Sequence, residues 1–220
     1  MATKKTAAQP VTKDSIIEKY ADYCLMNCTP PASVYKFAKD NGFEEAEFYN
    51  FFTSFEALER FYFAEMFNHS LQTLQQSPSY ADFSGIEKLS AFYFTFFEMA
   101  TANRSFVLYS LGNGRDFSTL PKLRELRSLF IDFAQSALEK PIALPHEKLE
   151  KLQEKGLREG AWLQFLTIFR FWVKDTSPGF EKTDIFIEKS VKAGADIVYN
   201  TPLQSIVDLG KFMWKEKFTV

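Results

Sequence analysis

Apolar residues return every three or four positions along most of the chain. Ile16, Ile17, Ala21, Cys24, Leu25 and Cys28 recur at helical spacing, which predicts a helix capped by Asp14 or Ser15 and running to about Asn27. Thr29-Pro30-Pro31 breaks it. A short helix, VYKFAKD, follows Ala32-Ser33, and Asn41-Gly42 ends it with a residue suited to a left-handed cap. EEAEFYNFF reads as another short helix, and Thr53 or Ser54 caps a longer one over 54–75, with Glu56 near its start. After Gln75-Gln76-Ser77-Pro78-Ser79, helical patterns cover 84–102, 104–111, 119–139, 146–174, 178–199 and 202–217. Gly112–Asp116, Pro121, Pro141, Pro145, Pro178 and Pro202 supply turn chemistry at the breaks. No stretch alternates like a strand between turns, so the expected class is all-α.

The helices differ in how much of their circumference is apolar. In AFYFTFFEM, Phe92, Phe96 and Met99 share one face and Tyr93 and Phe97 the next, so this helix belongs in the middle of a domain. In AWLQFLTIFRFWV, Trp162, Phe165, Leu166, Phe169, Trp172 and Val173 form one wide stripe. The helix over 178–199 mixes Phe180, Phe186, Ile187, Val191, Ile197 and Val198 with Ser190, Ala193, Gly194 and Ala195. A glycine inside a helix costs about 1 kcal/mol relative to alanine, and close approach of another helix is one compensation.

Composition sharpens this picture. There are 25 Phe against 9 Gly, so either the core is packed with phenylalanine or rings line an apolar cavity. Net charge is -2, which offers no global basic surface for nucleic acid and leaves a local patch open. Residues 1–13 are polar and basic like a flexible tail, with no signal-peptide core, and no apolar run is long enough to span a membrane; the expected location is the cytoplasm. Cys24 and Cys28 stand one helical turn apart and read as free structural thiols. His69 and His146 are far apart, so no metal site is expected. Glycine-rich phosphate loops, zinc motifs and nucleophile elbows are absent from the sequence, so neither a cofactor nor an enzyme activity is expected.

The sharpest motif is SVYKFAKDNGFEEAEFYNFFTSFEAL, residues 33–58. Two short helices around a turn containing Gly42 make a helix-turn-helix. Phe37-Ala38, Gly42 with an apolar successor, Phe48-Tyr49, Phe52, and Ser54 followed by Glu56-Ala57-Leu58 resemble the signature of the tetracycline-repressor (TetR) family. The resemblance implies a helix-turn-helix domain over 14–60, a helical ligand-binding and dimerisation domain over 61–220, a homodimer, operator DNA and a hydrophobic small molecule. It places Lys36, Lys39, Glu44, Glu47, Tyr49 and Asn50 on the DNA side. Family members carry small hydroxyl residues near the positions of Glu44 and Glu47 and a backbone-contacting lysine at that of Phe55. Between Gly42 and Glu59 this chain has five acids and no base, which repels phosphate. Two readings follow: a regulator with DNA contacts from unusual positions, or a helix-turn-helix kept as a structural module.

For the larger domain the resemblance implies an apolar pocket lined by Phe92, Tyr93, Phe96, Phe97, Met99, Phe106, Tyr109, Phe130, Phe165 and Phe169. Asn103, Arg104 and Tyr109 are candidates for its polar end; a solid core is the alternative. The last two long helices would pair in a dimer through Phe171, Phe186, Ser190, Ala193, Gly194 and Ile197, or pack only within the chain. DTSPGFEKTDIFIEK, residues 175–189, resembles a motif of TetR-fold lipid-binding accessory proteins of ubiquinone biosynthesis, which implies lipid or isoprenoid binding without DNA. The final helix, with Trp214 and lysines, suits either intramolecular docking or a membrane surface.

Overall fold

The computed structural model describes residues 11–112, 117–138 and 147–199; His146, most of the expected tail and the helix expected over 202–217 lie outside them. Among the described residues there are nine α-helices and no strand. They are α1 (Lys13–Asn27), α2 (Val34–Asp40), α3 (Glu45–Tyr49), α4 (Phe55–Gln75), α5 (Gly85–Ala102), α6 (Arg104–Leu111), α7 (Arg124–Ala137), α8 (Glu147–Lys174) and α9 (Glu181–Tyr199). The all-α class read from periodicity is the class observed.

Several helix ends differ from expectation, each for a local reason. Thr12, not Asp14 or Ser15, caps α1: its hydroxyl accepts from the Ser15 N–H at 3.2 Å, and Ser15 Oγ accepts from the Thr12 N–H at 3.0 Å. The third helix stops at Tyr49 instead of running to Phe52, and the N–H groups of Phe51 and Phe52 both turn back to the Phe48 carbonyl. Pro121 sits inside a 3-10 segment over Phe117–Leu123, which splits the helix expected over 119–139. Gly179 and Phe180 adopt positive φ, 62° and 60°, so the expected helix from 178 becomes a 3-10 turn followed by α9.

The described chain forms two compact units. The first contains the residues up to Glu65 and those of 103–125; the second contains 66–102 and the residues from Leu126 onward. This cut differs from a single division at 60/61, because α6 and the 3-10 segment join the helix-turn-helix. The core of the first unit is Ile16, Tyr20, Cys24, Phe37, Phe48, Leu58 and Phe106 with their neighbours. Cys24 and Cys28 are both free thiols, but only Cys24 is buried; Cys28 is the exposed left-handed cap of α1. The core of the second unit is built on α5, α7, α8 and α9, with Phe92, Phe130, Phe165, Trp172 and Ile187 fully enclosed. Trp172 Nε1 donates to Thr101 Oγ1 at 2.9 Å, so the largest ring in that core leaves no orphan donor.

One carboxylate organises the turn from α8 to α9. Asp175 is buried, and its two oxygens accept four hydrogen bonds, from the N–H and hydroxyl of Ser177 and of Thr183, at 2.7–2.8 Å. This is the local work of Asp175, Ser177 and Thr183 in the 175–189 motif. Burial works against the Asp175 charge, but the hydrogen bonds from Ser177 and Thr183 outweigh it and hold the carboxyl at about 2. A folded pKa below the ordinary 3.8 contributes stability that is present above about pH 4 and lost as pH falls toward about 2. Asp175→Asn is expected to lower stability near neutrality by about 1–2 kcal/mol. Its urea midpoint should then fall less steeply than the wild type's across that acid range; an equal acid slope would count against this role.

Candidate functional site

The turn between α2 and α3 is specified residue by residue. Ser33 Oγ caps α2 by accepting from the Lys36 N–H at 3.1 Å. At the other end, the Phe43 N–H reaches the Ala38 carbonyl at 3.1 Å and the Gly42 N–H the Lys39 carbonyl at 3.3 Å. That pattern, with Gly42 at φ 74°, is a Schellman motif, and a side chain at Gly42 would strain it. The Phe37 and Phe43 rings meet edge to face at 5.7 Å across the turn, the apolar contact such a motif favours. Lys19 Nζ donates to the Asn41 carbonyl at 3.1 Å, tying α1 to the same corner.

The face expected to meet DNA is acidic and already engaged with itself. Glu47 Oε2 accepts from the Glu44 backbone N–H at 2.9 Å, so the start of α3 carries its own carboxylate where a phosphate would dock. Lys39 Nζ lies 3.5 Å from Glu44 and 5.8 Å over the Tyr35 ring. Lys36 and Asn50 are exposed, and Tyr49 is 52% exposed with its ring edge-on to Phe48. Lys39, Glu44 and Glu47 are thus brought together; Tyr35, missed in the sequence, joins them, and its only signal was its place four residues before Lys39. Phe55 does not stand in for a phosphate-binding lysine. It stacks on Tyr20 at 4.9 Å and meets Phe37 and Phe48 edge to face, so it is a core ring.

Behind this face lies a buried polar centre. Glu59 is 4% exposed; Tyr20 donates to its Oε1 at 2.8 Å, Ser110 to its Oε2 at 3.0 Å, and Lys122 forms an ion pair with it. Lys122 also donates to the Ser110 carbonyl at 2.9 Å. Burial, then the adjacent Glu59 charge, push the Tyr20 hydroxyl far above the ordinary phenol range, so it stays a donor. Burial likewise pushes the Cys24 thiol up, against hydrogen bonds with Tyr109 and Tyr20. The sequence counts Glu59 among the five acids expected to repel phosphate, because an acid after Leu58 reads as a helix surface; buried and paired with Lys122, it faces no phosphate.

The expected pocket residues separate into two groups. Phe92, Tyr93, Phe96, Phe97, Phe130, Phe165 and Phe169 form one buried layer of the second unit. Their rings are in contact: Phe96 and Phe130 each lie 5.1 Å from Phe165, and Phe92 lies 5.7 Å from Phe130. Tyr93 donates to Gln164 Oε1 at 3.1 Å, and burial pushes its hydroxyl well above its ordinary pKa. Met99 is half-buried and accepts from Ser70 at 3.3 Å. Phe106 and Tyr109 lie in the first unit, where Phe106 packs on Tyr62 at 4.9 Å, and Asn103 stands at the N-terminal boundary of α6. Arg104 belongs to the first unit as well. A groove of about 110 Å³ between α7 and α8, lined by Ala134, Leu138 and Leu157 among others, is smaller than a typical ligand site.

The expected dimer residues also divide. Phe171 and Phe186 stack on each other at 4.4 Å, within the chain. Gln164 Nε2 donates to the Ser190 carbonyl at 2.7 Å, and a side-chain carbon on Gly194 would come within 3.0 Å of that nitrogen. The helix that approaches Gly194 is therefore α8 of the same chain. Ala193 and Ile197 face outward, with Ile197 66% exposed, as is Leu163 of α8 at 65%.

Among the described residues no group of side chains is arranged to hold a metal ion, and no helix is long and apolar enough to cross a membrane. A family model described as tetracyclin repressor-like, C-terminal domain, matches residues 88–213. No curated protein and no solved structure matches the chain. The resemblance of residues 175–189 to the ubiquinone-biosynthesis accessory proteins finds no support in these comparisons.

Glu59→Gln is expected to cost about 3 kcal/mol in urea unfolding, the low end for a broken buried pair because Lys122 keeps a quarter of its side chain in solvent. Adding Lys122→Met should recover much of that loss. A neutral Glu59→Gln would show that the pair contributes little.

Proposed function

Because the chain belongs to the tetracyclin repressor-like family, we propose that it is a regulator of that general kind whose helix-turn-helix does not clamp duplex DNA through α3. The observation that carries this reading is the carboxylate of Glu47 on the Glu44 N–H, with Lys39 drawn onto Glu44. DNA binding is driven by cations that replace condensed counterions along the phosphates. Here the helix start that would receive a phosphate holds an anion, and one of the two nearby lysines is neutralised. The wild-type protein is expected to give no mobility shift with its own upstream region or with random duplex at low salt. Glu44→Ser with Glu45→Gln and Glu47→Gln keeps a capping box while removing three charges, and should gain weak, salt-sensitive binding. A tight, sequence-selective complex of the wild type at physiological salt would overturn the reading.

A second reading concerns cargo and assembly. An apolar ligand is favoured by the concentration of rings from α5, α7 and α8 around one hydroxyl, that of Tyr93. A two-fold dimer is favoured by the outward apolar residues Leu163, Ile185 and Ile197 on α8 and α9. With those rings in mutual contact, a ligand enters that layer by parting them. Native mass spectrometry of the purified protein should record a dimer that Ile197→Glu converts to monomer, and a hydrophobic adduct recoverable by organic extraction. A monomer without adduct would sink this reading and leave the DNA prediction standing.

A further inference from the structure

We propose that the α2–α3 face is a docking surface for a cationic, arginine-containing protein segment. The proposal rests on the reading that α3 does not grip DNA, and it names what the same face takes instead. Three large aromatic side chains stand uncovered in this short stretch: Tyr35 at 57%, Tyr49 at 52% and Phe51 at 36% exposure. Single exposed apolar residues are ordinary, but these are interleaved with acids. From Ser33 to Phe52 there are two lysines against four carboxylates, Asp40, Glu44, Glu45 and Glu47.

The arrangement already seats one cation. The ammonium of Lys39 lies between a ring and a carboxylate, 5.8 Å over Tyr35 and 3.5 Å from Glu44. Lys39 is on α2 and Glu44 begins α3, so this contact makes the two helices one continuous surface. On α3, Glu45 and Tyr49 are four residues apart, a spacing that puts a second carboxylate and a second exposed ring on one side of the helix. A guanidinium fits such pairs best, since its plane stacks on a ring while its edge donates two hydrogen bonds to a carboxylate. The four carboxylates outnumber the two lysines and repel a phosphate on balance, so charge complementarity favours a basic protein segment over nucleic acid.

The test uses the full-length protein and fluorescein-labelled peptides of alternating arginine and glycine, with an equal-length lysine–glycine peptide and a random duplex as comparisons. Anisotropy titration should show the arginine peptide bound more tightly than the lysine peptide. Tyr35→Ala with Tyr49→Ala leaves the net charge unchanged and should weaken the arginine peptide about tenfold or more. Hydrogen-exchange protection on binding should fall within residues 33–51. Equal affinity of the ring-less variant, or protection elsewhere, would show that the peptide is held by general charge and would overturn the proposal. If neither peptide nor duplex binds, this inference fails and the reading of α3 survives. If the wild type binds duplex tightly and the peptide not at all, both fail.

Discussion

The helix-turn-helix unit is closed by a carboxylate almost wholly removed from solvent. Glu59 lies on α4, yet its partners come from α1, α6 and the 3-10 segment after it: Tyr20, Ser110 and Lys122. A buried acid is tolerable only when its lone pairs are filled and its charge is matched, and here both conditions are met by residues far apart in the chain. Every element contributing to that site must be in place together. This is why residues 103–125 belong to the first unit and not to the one that encloses their neighbours on either side.

Around that polar centre the protein packs rings. Phe37 alone meets Tyr20, Tyr23, Phe43, Phe48 and Phe55 edge to face. Edge-to-face contacts place the positive rim of one ring on the negative face of another, so a dense aromatic core gains direction as well as burial. The second unit uses rings as well, mostly tilted or stacked, with Phe165 touching Tyr93, Phe96, Phe97, Phe130 and Trp162. The excess of phenylalanine is thus spent in two separate cores. Phe55 shows the consequence for function: a position that could have carried a surface cation is taken by the packing of the first core.

The helix-turn-helix combines a well-specified backbone with an unsuitable charge. Ser33, Gly42 and the Phe37–Phe43 contact set the angle between α2 and α3 without reference to any partner. The side chains presented outward are set independently, and among them carboxylates outnumber the lysines, with Tyr35 and Tyr49 exposed between them. Geometry of this kind survives any change of surface chemistry, which is why the fold of the motif and what it binds are separate questions.

By itself the sequence determined the helices, their order and the sharp turn at Gly42, because periodicity, proline and glycine act over a few residues. It also suggested the family, through residues at fixed offsets from Phe37 to Leu58, although the family match itself falls elsewhere, at residues 88–213. Helix ends were legible only to within a turn, since Thr12 competes with Asp14 and Ser15 for the same N–H groups. Of the candidate site, the acidic character of α3 was plain in the letters, because Glu44, Glu45 and Glu47 have no base among them. What only the tertiary structure decided is which distant residue fills each space. Lys122 neutralises Glu59, Gln164 occupies the room left by Gly194, and Phe106 and Tyr109 leave the ring layer of α5 for another core. A helical repeat says which side of a helix is apolar; burial, hydrogen-bond satisfaction and steric fit between segments far apart in the chain settle what that side meets.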